Sequence, residues 1–353
     1  MSITERIEKF RQSYVNTKPQ ISCERAKIYT DSYRETEGEP MCIRSAKAYL
    51  AACEKLPVTI FDDEIIVGTA GEFKRTGILT PEFSWKWVDK EMDKFSTRGQ
   101  DPYEMTDEQR EFTRKEIFPY WKGKSLEELY LKRLPEDTAK ILIDTGVLDN
   151  DSKWRQAVGE VTPDYEDILL PKGYQKIKEE ALAKIEELDI AIPENIEKIE
   201  FYKSQVIICD GIMTFAKRYS DLAYEMAQKE INEKRKAELI KIGDICKKVP
   251  AYPPESFYEA IQFIWFVQVG GIICENPLSL NPGRFDQYMY PYYEKDIKEG
   301  KLDKDGALEL IEALWIKYSE WVWTISENTA GYFAGYNQFQ NLTVGGRKRD
   351  GSD

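Results

Sequence analysis

Apolar residues recur along most of this chain at steps of three and four, the spacing that gathers them on one side of an α-helix. Ile3, Ile7, Phe10 and Tyr14 make the first such stripe, and Ser2 with Glu5 has the form of a capping box at its start. Residues 40–55 read as a second helix, with Pro40 in the first turn, where its missing N–H costs nothing. Residues 58–68 (VTIFDDEIIVG) predict two short strands around an Asp62-Asp63 turn. Residues 71–100 are irregular and aromatic-rich, with Phe83, Trp85, Trp87 and Phe95, and residues 106–117 predict a polar helix ending near Pro119. From Tyr174 the residues Ile177, Ala181, Ile185 and Leu188 mark an amphipathic helix. A long helix, broken or kinked somewhere within, is predicted over residues 204–242. Residues 256–273 are apolar almost all round, which predicts a helix buried on every side. Ala307, Ile311, Leu314, Tyr318 and Trp321 give a last stripe. No repeat, low-complexity tract or linker divides the chain, so residues 1–353 read as one domain or as part of a larger one.

Composition narrows what such a helical chain can do. Its 353 residues are 42% hydrophobic, enough for a large core. The formal net charge of -13 repels nucleic-acid phosphates and anionic lipid, so neither nucleic acid nor membrane is expected as a partner. The longest apolar run, residues 261–273, is interrupted by Gln262, Gln268 and two glycines and does not read as a membrane span. The start, MSITERIEKF, has no basic region followed by an apolar stretch, so no secretory signal is expected and the location predicted is cytoplasmic. Cys23, Cys42, Cys53, Cys209, Cys246 and Cys274 include no CxxC pair and read as reduced thiols. The absence of histidine excludes a Ser-His-Asp triad and any imidazole metal site. Acid-base work must therefore fall to Glu, Asp, Lys, Tyr or Cys. No GxxxxGK[ST] or GxGxxG loop is present to cradle phosphates.

Three segments are candidates for a site. In Gly159-Glu160-Val161-Thr162-Pro163-Asp164-Tyr165, Glu160 and Asp164 could stand at a pocket rim, or Asp164 could simply cap the next element. Residues 275–287 leave the apolar helix as a loop of the kind that lines interior cavities. Pro282-Gly283 marks a turn there, and Arg284 with Asp286 could form an internal ion pair. In residues 332–346 the part Phe339-Leu342-Val344 reads as a strand closed by Gly345-Gly346, facing either a substrate or the ordinary core. The charged neighbours of Cys23 and Cys246 are not specific enough to mark a nucleophile.

Taken in order, the segments ERAKIYTDSYRETEGEP, RSAKA, DDEIIVG, PEFSWKW, IFPYWKGKSLEE, GEVTPDYEDIL, NPGRFDQYMYPYYEKDI and AGYNQFQNLTVGG resemble the pyruvate formate-lyase-like glycyl radical enzymes, in the dehydratase and carbon-heteroatom lyase branch. The resemblance implies an α/β fold: the largely helical amino-terminal part of a ten-stranded barrel, incomplete in this chain. It also implies a backbone glycyl radical, installed by a radical S-adenosylmethionine activating enzyme, that oxidises a cysteine in a GCxE motif. Neither GCxE nor the RVxG motif of the radical glycine occurs here, and the chain closes on the polar run GGRKRDGSD. The expectation is a chain that is inactive alone: a truncated piece, one half of a split enzyme, or a non-catalytic binding protein. A carboxyl-terminal part or subunit and a homodimer when complete are implied as partners. An open barrel exposes strand edges and apolar surface, so the isolated chain is expected to associate or bind hydrophobic dye.

For the substrate, the resemblance points to Glu160, Leu278, Ser279 and Phe339, with Arg284 and Asp286 structural beside them. Glu160 and Leu278 stand where diol dehydratases have histidines. An apolar Leu278 cannot pair with a second hydroxyl, and leaving that hydroxyl buried and unbonded costs a few kcal/mol. Glycerol, propanediol and choline therefore rank below an isethionate-like sulfonate or an arylacetate.

Overall fold

The computed structural model describes residues 4–145, 160–333, 335, 340–347 and 350–352. Helices dominate. The first half carries α1 (Glu5–Asn16), α2 (Glu24–Glu35), α3 (Met41–Lys55), α4 (Lys86–Glu91), α5 (Asp107–Phe112), α6 (Phe118–Trp121), α7 (Leu126–Arg133) and α8 (Glu136–Thr145). The second half carries α9 (Leu170–Glu187), α10 (Pro193–Lys229), α11 (Glu233–Lys248), α12 (Phe257–Glu275), α13 (Phe285–Lys298), α14 (Lys304–Glu320) and α15 (Glu327–Tyr332).

Local chemistry sets most of their ends. Thr4 caps α1, its hydroxyl accepting from Ile7 N; Ser2 of the expected cap lies outside the described residues. Thr106 and Gln109 form a capping box on α5. The long helix predicted over residues 204–242 is two. It breaks at residues 230–232, where Asn232 Oδ1 accepts from Lys234 N and Arg235 N at 3.0 and 3.1 Å and starts α11.

The core is built around α12. Ala260, Ile261, Phe263, Ile264, Phe266, Val269 and Ile273 are all fully buried, as the all-round apolar pattern requires. Burying each large side chain contributes about 1.5–3 kcal/mol. This is also the one helix among the described residues long and apolar enough to cross a membrane; here α3, α10, α11, α13 and α14 pack around it.

Residues 58–68 do not form the two expected strands. Only the Asp62-Asp63 turn is as predicted, with Asp63 at φ 59°. The segment runs extended along α12, whose side chains take the place of a neighbouring strand. Gln262 accepts from Val67 N at 2.9 Å and donates to Val67 O at 2.8 Å, Trp265 Nε1 donates to Gly68 O at 3.0 Å, and Tyr258 donates to Ile65 O. These backbone groups find their partners on a helix, so they require no ladder.

Two small parallel ladders remain. β1 (Gln20–Ser22) pairs with β2 (Thr76–Ile78), Ile21 opposite Gly77. Single bridges widen this ladder on either side, Glu104 beside Gln20 and Val322 beside Gly77. β3 (Glu160–Val161) pairs with β4 (Ser279–Leu280), and Gly283 bridges to Leu342. Every strand contact among the described residues is parallel, the arrangement a barrel wrapped in helices requires.

Candidate functional site

The site is set by how α12 ends. Asn276 caps it with φ 50°, in the left-handed region where asparagine is tolerated, and Pro277 cannot continue the helix. The Asn276 side chain then acts as a strand would. Its Nδ2 donates to Thr324 O at 3.0 Å, and its Oδ1 accepts from Thr324 N at 3.4 Å. Arg25, fully buried, fixes the same helix end. Its guanidinium donates to the carbonyls of Ile273 and Cys274 at 2.5 and 2.6 Å, to Leu79 O at 3.2 Å and to Glu82 Oε1 at 2.6 Å. It lies 3.6 Å from the centre of the Tyr29 ring. A cation at the negative end of a helix, paired with a carboxylate and set over a ring, is stabilised three ways.

From this fixed end the chain enters β4 in register with β3, which sets Glu160 opposite Ser279. Of the residues singled out in the sequence, these two are brought together by the backbone. Asn281 N donates to Val161 O at 2.8 Å and continues the ladder. At the turn Gly283, with φ 66°, donates its N–H to Asn341 O at 3.1 Å and accepts from Thr343 N at 2.7 Å. Leu278 is half-buried against the small apolar cluster of Trp323, Ile325 and Ala330, beside Phe333. Phe339 lies outside the described residues; of the strand expected there, the described part is the single bridge at Leu342.

Arg284 and Asp286 are not the ion pair their spacing suggested. Asp286 Oδ2 accepts from Gly345 N at 2.6 Å, and Arg284 donates to Arg347 O. Both side chains reach past each other to the backbone of the segment that follows Leu342. Asp164 is a cap, its Oδ1 accepting from Asp167 N at 2.9 Å. Below the loop, Gln268 Nε2 donates to Tyr165 OH at 2.9 Å, Tyr165 stacks on Tyr288 at 5.5 Å, and Tyr288 OH donates to Pro282 O at 2.6 Å. This buried chain joins the exit of β3, the middle of α12 and the turn after β4.

Burial pushes up the thiols of Cys23, to about 11, and of Cys274, to about 12, so neither is a thiolate at neutral pH. Burial also raises the Glu275 carboxyl, opposed by Arg25 and reinforced by Glu82. No group of three His, Cys, Asp or Glu side chains among the described residues is placed to hold a metal ion. A cavity of about 370 Å³ lies behind β4, lined by Tyr49, Ile168, Tyr174, Val267, Cys274 and Leu280 among others. Its walls are almost wholly apolar, and Ser279 faces elsewhere.

A family model described as pyruvate formate lyase-like matches residues 2–353. The chain belongs to this family. Among its pyruvate formate lyase-like relatives are the isethionate sulfite-lyase of Nitratidesulfovibrio vulgaris, 38% identical over 99% of this chain and 43% of the relative, and the trans-4-hydroxy-L-proline dehydratase of Clostridioides difficile, 30% identical over 99% and 44%. The glycerol-bound B12-independent glycerol dehydratase of Clostridium butyricum superposes with a TM-score of 0.94 at 36% identity, over 100% of this chain and 44% of that one. A structure describing 1,2-propanediol dehydration in Roseburia inulinivorans gives 0.95 at 36% identity, over 99% and 42%. The chain thus spans less than half the length of the relatives it matches. The fold is the one the resemblance implied, the largely helical portion of a glycyl radical enzyme α/β barrel. No cysteine here is preceded by Gly and followed two residues later by Glu, and no RVxG is present.

Sequence reasoning missed Arg25, Asn276 and Asn281. Asn276-Pro277 after an apolar helix is a recognisable left-handed cap followed by a stop. Nothing in the spacing of Arg25 or Asn281 marks them.

Proposed function

We propose that this chain forms part of the substrate-binding wall of a glycyl radical lyase or dehydratase acting on a small oxygenated molecule, and that it is catalytically silent alone. The observation that supports this best is the β3–β4 register, which puts Glu160 opposite Ser279 at the end of a rigidly held helix. The wall binds and orients. The cysteine and radical glycine would come from a carboxyl-terminal part or subunit, and the radical from a radical S-adenosylmethionine activating enzyme. The complete protein is expected to be a homodimer.

Among substrates, a hydroxyalkyl sulfonate of the isethionate kind fits best. Leu278 sits against the cluster of Trp323, Ile325 and Ala330, an environment suited to a carbon skeleton and not to a second hydroxyl. Isethionate sulfite-lyases are also among the relatives that share the most identity with this chain, at 32–38%. An arylacetate is the second reading, favoured by the same apolar surroundings.

The test is electron paramagnetic resonance after anaerobic incubation with an activating enzyme and S-adenosylmethionine. The chain alone should give no glycyl doublet. The chain supplied with a polypeptide carrying GCxE and RVxG should give the doublet, and with isethionate should release sulfite. A doublet from the chain alone would overturn the reading.

A further inference from the structure

The strands that carry Glu160 and Ser279 are joined to the other ladder through a side chain. Val322 bridges to Gly77 and so extends the β1–β2 ladder. Two residues on, Thr324 offers both its N–H and its C=O to the primary amide of Asn276, at 3.4 and 3.0 Å. The neighbouring groups, Trp323 O and Ile325 N, are taken by the Tyr103 hydroxyl at 2.7 and 3.1 Å. A carboxamide holds an N–H and a C=O in one plane, the same pair a peptide offers. Its orientation follows from its partners. Thr324 N can only donate and Thr324 O can only accept, so the amide oxygen faces the first and the amide nitrogen the second. Few residues could serve here. At φ 50° the backbone favours Asn, Asp or Gly. Of these, ionised Asp has no donor and Gly has no side chain. Asn276 is 1% exposed, so solvent does not take over the pairing when the amide is lost.

We infer that Asn276 is a positioning residue: its side-chain amide stands in for a strand peptide, ties Thr324 to the entry of β4, and so sets where Ser279 and Glu160 stand against the β1–β2 side of the wall. Ser279 follows three residues after Asn276 and pairs with Glu160, so a slip at the amide moves both. The consequence for substrate rests on the function proposed above; the pairing itself does not.

Two measurements test it separately. The first is urea unfolding of the chain carrying Asn276→Asp, which keeps the size of the side chain and tolerates the left-handed turn. As a carboxylate it sets an oxygen against Thr324 O. Once protonated, its O–H donates to Thr324 O while its carbonyl still accepts from Thr324 N. The introduced carboxyl therefore gains a proton on folding: its folded pKa lies above the unfolded value of about 3.9, and the stability it contributes is present at low pH and lost as the pH rises. Arg25, Glu82, Cys274 and Glu275 stand at the same helix end, with Tyr103 beyond Thr324, so variant and unaltered chain are compared at each pH. Asn276→Asp should lower the urea midpoint at pH 8, and at least half of that deficit should vanish at pH 5. Asn276→Gly, which keeps the turn and has no amide, should show the same deficit at both. An Asn276→Asp deficit that is absent at pH 8, or that persists undiminished at pH 5, overturns the inference. The second measurement is sulfite release from isethionate by the complete protein. Folded Asn276→Asp should have a kcat/KM about tenfold below the unaltered protein at pH 8, because the wall is misplaced. An unchanged kcat/KM overturns the positioning role, since a bond that only held the fold together would not move it. An unaltered complete protein that carries the radical and releases no sulfite overturns the sulfonate reading instead, and the urea series then decides Asn276 by itself.

Discussion

The two ladders share one pairing geometry and differ in what surrounds them. β1 and β2 are sealed: Ile21 and Ile78 have 0% and 1% exposure, and Val322 closes one edge. β3 and β4 are half open: Leu280 is buried against α12, while its partner Val161 is 45% exposed. Parallel pairs are ordinarily covered on both faces. The open ladder is the one that carries Glu160 and Ser279, but the exposed Val161 lies on the face opposite theirs, and Ser279 itself is 1% exposed. Beyond this ladder, single hydrogen bonds from Asn281, Asp286 and Arg284 tie the turn to residues 341–347.

Arg25 couples the two ladders, since it donates to Leu79 O just past β2 and to Ile273 O and Cys274 O just before β4. Arg25→Ala should be the most damaging single change, costing about 3–5 kcal/mol by leaving Glu82 buried without its cation. Urea unfolding would measure it. A cost below about 1 kcal/mol would mean the two ladders stand independently.

The next contrast is steric. A β-carbon on Gly77 would lie 2.8 Å from Thr324 Oγ1 and 2.9 Å from Ile21 Cδ1. Gly77→Val in the sealed ladder should therefore cost about 1–3 kcal/mol through overpacking. Val161→Thr in the open one should stay within about 0.5 kcal/mol, as surface changes do. Equal costs would remove the distinction between sealed and open.

How much of this was legible beforehand follows the same division. The all-round apolar run named α12 and its burial without help from any neighbour, and the break at residues 230–232 fell within the long helix expected there. Residues 58–68 misled because β-branched and aromatic residues fit an extended backbone whatever its partners are. The partners are Gln262, Trp265 and Tyr258, side chains of a helix almost 200 positions on (|i−j| of 195 for Val67 and Gln262). Arg284 and Asp286 misled because opposite charges two apart suggest each other, whereas their real partners are backbone groups 63 and 59 residues away. The Glu160–Ser279 pairing spans two chain segments that no local rule connects. The family resemblance named both residues but not their pairing.

The smallest predicted effect is chemical. At pH 8 a thiol reagent should label the exposed Cys42 promptly and Cys23, buried beside β1, far more slowly. Because burial raises Cys23 from 9.0 to about 11, the unfolded chain gives up its proton first as the pH rises. Stability from this group is whole below about pH 9 and declines between there and about pH 11, which urea midpoints at pH 8 and pH 10 would register. Cys23 labelling as promptly as Cys42 would mean the sealed ladder opens readily.

The peptide between Asn276 and Gly283 is pinned at both ends, to Thr324 on one side and to Asn341 and Thr343 on the other. Its length is therefore a fixed quantity. Adding or deleting one residue there would put a different side chain in the place of Ser279 without touching any helix. Relatives that differ in loop length at this point would be expected to differ in what they bind, even where every residue type is kept.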